Sequence, residues 1–241
     1  SAPDITNAGD YIFRTYPSDF FEGKVVAEYT KNKLGYSKVA ILYVNNDWGN
    51  GLKKVFKENL TKLNGNIAIE ESYQQGNKDL RTQLTKIKSI NPESIYFIGY
   101  IDEAVVVLKQ IKEMKINVPI FGNSSWSESK LISEAGNASE GVYWIELKSS
   151  TPPVFLEKEM ELKRGNKEIP VCSIQYYDAV KLLAKSINGL TDISGNNIKD
   201  KLYQTTLSGL SGEISFDKNG DLVNAEYSVK IIKNGKAELL K

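Results

Sequence analysis

Apolar residues along this chain fall into short dense runs separated by stretches in which they recur at helical spacing. Val39-Ala40-Ile41-Leu42-Tyr43-Val44 is a nearly unbroken run, the pattern of a strand buried on both faces between helices. Asn45-Asn46-Asp47 breaks it with residues that satisfy their own backbone in turns, and Leu52, Val55, Phe56, Leu60 and Leu63 follow at helical spacing. The same alternation predicts strands over 67–73, 94–99, 118–121 and 141–147. Between them run helices striped by Leu80, Leu84, Ile87 and Ile90, by Ala104, Val107, Leu108 and Ile111, and by Leu131-Ile132. Upstream, Tyr11–Thr15 reads as a short β-prone run, and Phe21, Val25, Val26 and Tyr29 stripe a helix ending near Gly35. Strands alternating with helices at this spacing predict βαβ crossovers, hence an α/β fold with a doubly wound parallel sheet over residues 18–147.

Thr151-Pro152-Pro153 interrupts this pattern, since consecutive prolines resist both helix and inner strand. Beyond it, Val154–Arg164, Ser173–Asn188 and Ile198–Tyr203 read as helices with no buried strand between them. A closing hairpin is expected from Gly212–Phe216, the turn Asp217-Lys218-Asn219-Gly220 and the alternating strand Glu226–Lys233. On the second of these helices Tyr176, Val180, Leu183 and Ile187 form a stripe that Ala179, Leu182 and Ala184 widen, so cover on more than one side is expected.

Composition narrows the chemistry. Thirty-one Lys and Arg against 30 Asp and Glu, a net charge of +1, provide no basic surplus for nucleic acid or an anionic membrane surface. No apolar run approaches the roughly 20 residues that span a bilayer. The 241 residues include no histidine and one cysteine, Cys172, so structural zinc, haem and Ser-His-Asp chemistry lack their ligands and an intrachain disulfide is impossible. Gly49-Asn50-Gly51 follows a strand but lacks the further glycine and the lysine of a phosphate cradle, so no cofactor is expected. Cys172 reads as a small buried hydrophobe, and Glu103 and Glu113 as an ordinary charged helix face. Trp48 is different: a large aromatic in the turn at the carboxyl end of the central strand, where open α/β sheets bind ligands or where a ring merely caps the sheet.

The order FRTYPSD at Phe13–Asp19, VAILYVNNDWGNGL at Val39–Leu52, IYFIGY at Ile95–Tyr100, SEGVYW at Ser139–Trp144, YYDAVKLLAKSI at Tyr176–Ile187 and GLSGEISFDKNGD at Gly209–Asp221 resembles the branched-chain-amino-acid-type periplasmic binding proteins. These are type I solute-binding proteins of ABC importers. The resemblance implies a fragment lacking the N-terminal part of the first lobe. Residues 1–150 and 209–241 would then form the second lobe, and 151–208 would be helices belonging to the first. It also implies a non-enzymatic protein, periplasmic or extracellular, free or anchored by lipid, that binds an amino acid or carboxylate in a hinged cleft and delivers it to an ABC permease.

By the same resemblance, Ser1 stands where a Ser or Thr grips a ligand carboxylate, Trp48 where a tyrosine often closes over the ligand, and Tyr100 at another cleft aromatic. Ser124 stands where amino-acid binders carry an acid that pairs with the α-ammonium, and a neutral hydroxyl cannot supply that charge. A ligand other than a simple α-amino acid is therefore expected there, unless Asp19 or Asp102, both near turns, lends a carboxylate; helix capping is the alternative role for each. Without the first lobe's strands, helices 154–204 are expected to self-associate or to become mobile. A sensor domain of a receptor or regulator on the same fold is the alternative function, and an α/β enzyme relying on carboxylates the less favoured one.

Overall fold

The computed structural model describes residues 1–126, 128–148 and 172–240. Thr151-Pro152-Pro153 and the helix expected over Val154–Arg164 lie outside the described residues. The chain divides into two compact units, one of Ser1, Pro3–Ser18 and Lys148–Glu226, the other of Ala2, Asp19–Leu147 and Tyr227–Lys241. Sequence reading draws the divisions at 151 and 209.

The larger unit is built on β1 (Lys38–Val44), β2 (Asn66–Tyr73), β3 (Ser94–Ile98), β4 (Ile120–Phe121) and β5 (Tyr143–Leu147), all mutually parallel. The helices are α1 (Asp19–Glu28), α2 (Asp47–Lys62), α3 (Arg81–Ile90) and α4 (Ile101–Glu113). Alternate residues of β1 point to opposite faces. Val39 and Ile41 pack with Val26 of α1 and Leu52, Phe56 and Leu60 of α2. Ala40, Leu42 and Val44 join Leu84 and Ile87 of α3 and Val107, Leu108 and Ile111 of α4. Helices cover both faces, as a strand apolar on both sides requires.

After forming β6 (Leu207–Gly209) and β7 (Gly212–Ile214) in the smaller unit, the chain rejoins this sheet with β8 (Tyr227–Lys233) and β9 (Lys236–Leu240). The strand order is β2-β1-β3-β4-β5-β8-β9, with β8 antiparallel to both β5 and β9. The sheet is thus mixed, mostly parallel with an antiparallel edge. The expected closing hairpin is corrected in detail. β7 pairs with β6 and not with β8, while β8 turns through Asn234-Gly235 (φ 52° and 70°) into β9. Two successive positive-φ residues suit a tight hairpin turn, and Asn-Gly is its strongest sequence signal. Tyr11–Thr15 forms no strand; Arg14 N–H instead donates to Gly220 O at 3.0 Å.

The smaller unit contains α5 (Ser173–Ile187), α6 (Gly195–Gln204) and the β6–β7 ribbon, so its helices do have a small sheet of their own. Its core is slight: Leu182, Ile214, Phe216 and Leu222, joined by Phe13, Leu202, Tyr203 and Leu207. Much of the rest is polar. Buried Asp178 accepts the backbone N–H groups of Leu210 (2.9 Å) and Ser211 (2.7 Å), and Arg14 pairs with Asp221. α5 turns its apolar stripe outward, with Tyr176 73%, Val180 70% and Leu183 44% exposed.

Candidate ligand-binding site

The strand order places β1 beside β3 while the helices that follow them, α2 and α4, depart to opposite faces of the sheet. Between such strands the two connections diverge and leave a crevice at the carboxyl ends, where ligands of open α/β sheets bind. Trp48 follows β1 and Tyr100 follows β3.

Trp48 sits in the first turn of α2, whose start is fixed twice. Asn46 Oδ1 accepts the Gly49 N–H at 2.8 Å, capping the helix. A Cβ on Gly49 would stand 2.0 Å from Val44 O, so only glycine lets the helix start this close to the strand end. Trp48 and Tyr100 lie with ring centroids 4.9 Å apart and planes at 31°, and Asn46 Nδ2 donates to Tyr100 Oη at 3.4 Å. Trp48 is half-buried and packs against the apolar clusters on both faces of the sheet, so it caps the sheet end while part of it stays exposed.

The segment after β4 is bolted to the end of β3. Gly99 O, the carbonyl just before Tyr100, accepts from Asn123 Nδ2 at 2.8 Å, Trp126 Nε1 at 3.0 Å and Ser125 Oγ at 3.3 Å. This fixes Ser124, half-buried, next to α1. Its backbone N–H donates to Glu22 Oε1 at 3.0 Å, and its hydroxyl hydrogen-bonds Glu22 Oε2. Glu22 and Asp19, one turn apart on α1, are each 1% exposed. Burial, followed by the neighbouring Asp19 carboxyl, pushes the Glu22 pKa up to about 8. The Tyr96 hydroxyl of β3 is equally buried, and it has no hydrogen-bond partner among the described residues. Its pKa is raised by burial and then by Glu22 and Asp19, which places it in the same polar nest.

The structure therefore brings four of the five expected residues into two pairs in one unit: Trp48 with Tyr100, and Ser124 with Asp19 through Glu22. Ser1 belongs to the other unit, where it is exposed and its carbonyl accepts from Arg14 Nη1 at 3.4 Å. Asp102 is paired with Lys130 at the surface. Glu113 pairs with Arg81 at 2.7 Å, as a charged face would. Glu103 departs from that reading: it is 6% exposed, and Oε1 accepts the Gly76 N–H at 2.8 Å. Cys172 is half-buried, and burial pushes its thiol pKa up. Glu22 was missed from the sequence. The available signal was its spacing, since Asp19, Glu22 and Val26 share one face of α1 and Val26 is plainly a core residue. Among the described residues, no His, Cys, Asp or Glu group is placed to hold a metal ion, and no helix is long and apolar enough to cross a membrane.

Residues 1–234 match the receptor family ligand binding region, and the chain belongs to that family. It is 26% identical over 238 residues to the leucine-, isoleucine-, valine-, threonine-, and alanine-binding protein of Pseudomonas aeruginosa, covering 95% of this chain and 62% of that protein. It is 24% identical over 232 residues to the Leu/Ile/Val-binding protein of Escherichia coli, covering 95% and 63%. The chain thus spans less than two thirds of the length of these relatives. Among solved structures, the leucine-binding protein LivK of Thermotoga maritima superposes with a TM-score of 0.86 at 24% identity, over 99% of this chain and 69% of that one. LivJ of Streptococcus pneumoniae in complex with isoleucine superposes with a TM-score of 0.78 at 27% identity, over 98% and 69%. A Rhodopseudomonas palustris ABC-transporter solute-binding protein in complex with benzoate does so at 0.83 and 18% identity, over 99% and 68%. These relatives are binding proteins.

Proposed function

We propose that this chain is part of an extracytoplasmic solute-binding protein of an ABC importer. It takes a small amino acid-like or carboxylate solute in a cleft between two hinged lobes and hands it to a membrane permease. The observation that carries this reading is the convergence of Trp48, Tyr100 and Ser124 on the carboxyl ends of β1, β3 and β4 around the strand-order switch. The names of the relatives support the solute class. The smaller unit, Ser1, Pro3–Ser18 and Lys148–Glu226, belongs to the first lobe and the larger unit to the second, in place of the divisions at 151 and 209, and Ser1 reaches a ligand carboxylate. The protein works outside the cytoplasmic membrane, free or held by a lipid anchor, and carries out no catalysis. The family's description as a receptor region favours, as the second reading, a sensor domain that reports the same ligand instead of transporting it.

A thermal-shift screen of the full-length gene product tests both readings, because a ligand stabilises the state it binds by RT ln(1 + [L]/Kd). Leucine, isoleucine, valine, threonine, alanine, benzoate and short branched carboxylates make up the panel. At least one is expected to raise the Tm in proportion to the logarithm of its concentration. Chemical turnover of any of them, or no shift with all, would overturn the proposal.

A further inference from the structure

Asn46 serves two partners with one amide. Its Oδ1 accepts the Gly49 N–H at 2.8 Å, which fixes which end of the side chain is the oxygen, because an N–H can only donate. Its Nδ2 is therefore the end that faces Tyr100 Oη, 3.4 Å away, and it can only donate to it. Tyr100, the residue before α4, is held as an acceptor on that side, and its one proton is turned away from Asn46. Among the described residues no acceptor takes that proton, and none takes the indole N–H of Trp48, a group that is donor only. Both rings are half-buried and lie with centroids 4.9 Å apart. The carboxyl ends of β1 and β3 thus carry two unspent donors on adjoining rings.

On the reading that the solute binds at this strand-order switch, we propose that Asn46 is a positioning and specificity-determining residue. It sets the Tyr100 phenol as a donor toward the solute, so this position receives a carboxylate oxygen and not an ammonium. A carboxylate is acceptor-only and has room for several donors, so this contact adds to the one at Ser1. The acids in the adjoining first turns do not compete for the proton: Asp102 pairs with Lys130, Glu103 accepts the Gly76 N–H, and Asp47 is exposed. A phenol that gives its proton to an anion becomes a better acceptor in turn, so the long bond from Asn46 strengthens as the solute binds. The residue that starts α2 therefore also decides which group of the solute the end of β3 can hold.

The test is a double-mutant cycle, read by isothermal titration of the full-length gene product with the carboxylate of the panel above that gives the largest thermal shift. Tyr100→Phe keeps the ring and removes the donor, so it should weaken binding about tenfold or more, the loss of a hydrogen bond to a charged group. Asn46→Asp keeps the helix cap, since Asp caps as well as Asn, but puts an acceptor where Nδ2 stood. The phenol then gives its proton to residue 46, and binding should fall by at least about as much. When Tyr100 is already Phe there is no proton to capture, and Asn46→Asp should cost at least about fivefold less than it does in the wild type. Repulsion between the new carboxylate and the solute is common to both arms and cancels. A coupling below about fivefold, or a Tyr100→Phe variant that binds as tightly as the wild type, would overturn the role of Asn46 while leaving the functional reading intact. A gene product that binds no carboxylate of the panel would overturn the functional reading and this inference with it.

Discussion

A carboxyl carried into a helix–sheet interface holds its proton more tightly than one in water, and for Glu22 this makes stability depend on pH. Its folded pKa of about 8 lies above the ordinary 4.5, because burial and then Asp19 disfavour the charged form. A raised folded pKa means that the native state binds the proton better than the unfolded one. The resulting stabilisation is fully present below 4.5 and is lost as pH rises through 8. Facing Asp19, Ser124 and Tyr96 in the same way but without a titrating proton, Glu22→Gln should become more stable relative to wild type as pH rises across that window. Urea denaturation of both proteins at a series of pH values reads this directly, and a difference that stays constant with pH would contradict it. The neighbouring glycine of the site answers to sterics instead. Gly49→Ala would drive a Cβ to 2.0 Å from Val44 O, so it should cost about 1–3 kcal/mol and displace Trp48. A melting temperature unchanged from wild type would contradict that contact.

α5 is an element with its polarity inverted. Asp178 and Ser186 are fully buried, whereas Tyr176 and Val180 are more than two-thirds exposed. Polarity alone would therefore misjudge its substitutions. Asp178→Ala should cost about 1–3 kcal/mol, because it leaves the Leu210 and Ser211 N–H groups without their acceptor. Val180→Glu should cost under about 0.5 kcal/mol within this unit. Chemical denaturation of the two variants checks the order. The outward stripe of Tyr176, Val180 and Leu183 also bears on assembly, since soluble monomers seldom expose apolar patches beyond a few hundred Å2. We expect this chain on its own to self-associate through the outward face of α5, and Leu183→Glu with Ile187→Glu to weaken it. Concentration-dependent light scattering would contradict this if it showed a monomer throughout.

Legibility from sequence follows the same line. β1, β3 and the helices α2, α3 and α4 were readable because each buries a regular apolar run or stripe, whereas β2, in which only Tyr73 is buried, was legible through its place in the alternation of strands and helices. β9 was missed because Lys236–Leu240 is an edge strand with little buried, although Asn234-Gly235 announced its turn. Trp48 stood out as an aromatic in a turn, but Glu22 was hidden on a helix, where an acid ordinarily means solvent. Only α1's packing against α2 shows that its Asp19-Glu22-Val26 face is inward. Tyr100 and Ser124 were legible through resemblance and not through any pattern of their own.

In the proposed function a solute is held at the strand-order switch of one lobe and enclosed by a second. Because such a ligand is buried from both sides, affinity should depend on the complete pair of lobes, and this chain, spanning under two thirds of its relatives, should bind more weakly than the full-length gene product. The aromatic pair should matter in either. Replacing a stacked ring that covers a ligand commonly costs on the order of 1–3 kcal/mol, or about tenfold to a hundredfold in affinity. The most direct test is an isothermal titration of the full-length gene product and its Trp48→Ala variant with the solute that gives the largest thermal shift. A single site is predicted in the wild type, weakened at least about tenfold in the variant, measured well below the variant's own melting temperature, which falls because the ring packs against both apolar clusters. Binding of equal strength in both would contradict it, because the ligand would then sit somewhere other than the carboxyl ends of β1 and β3.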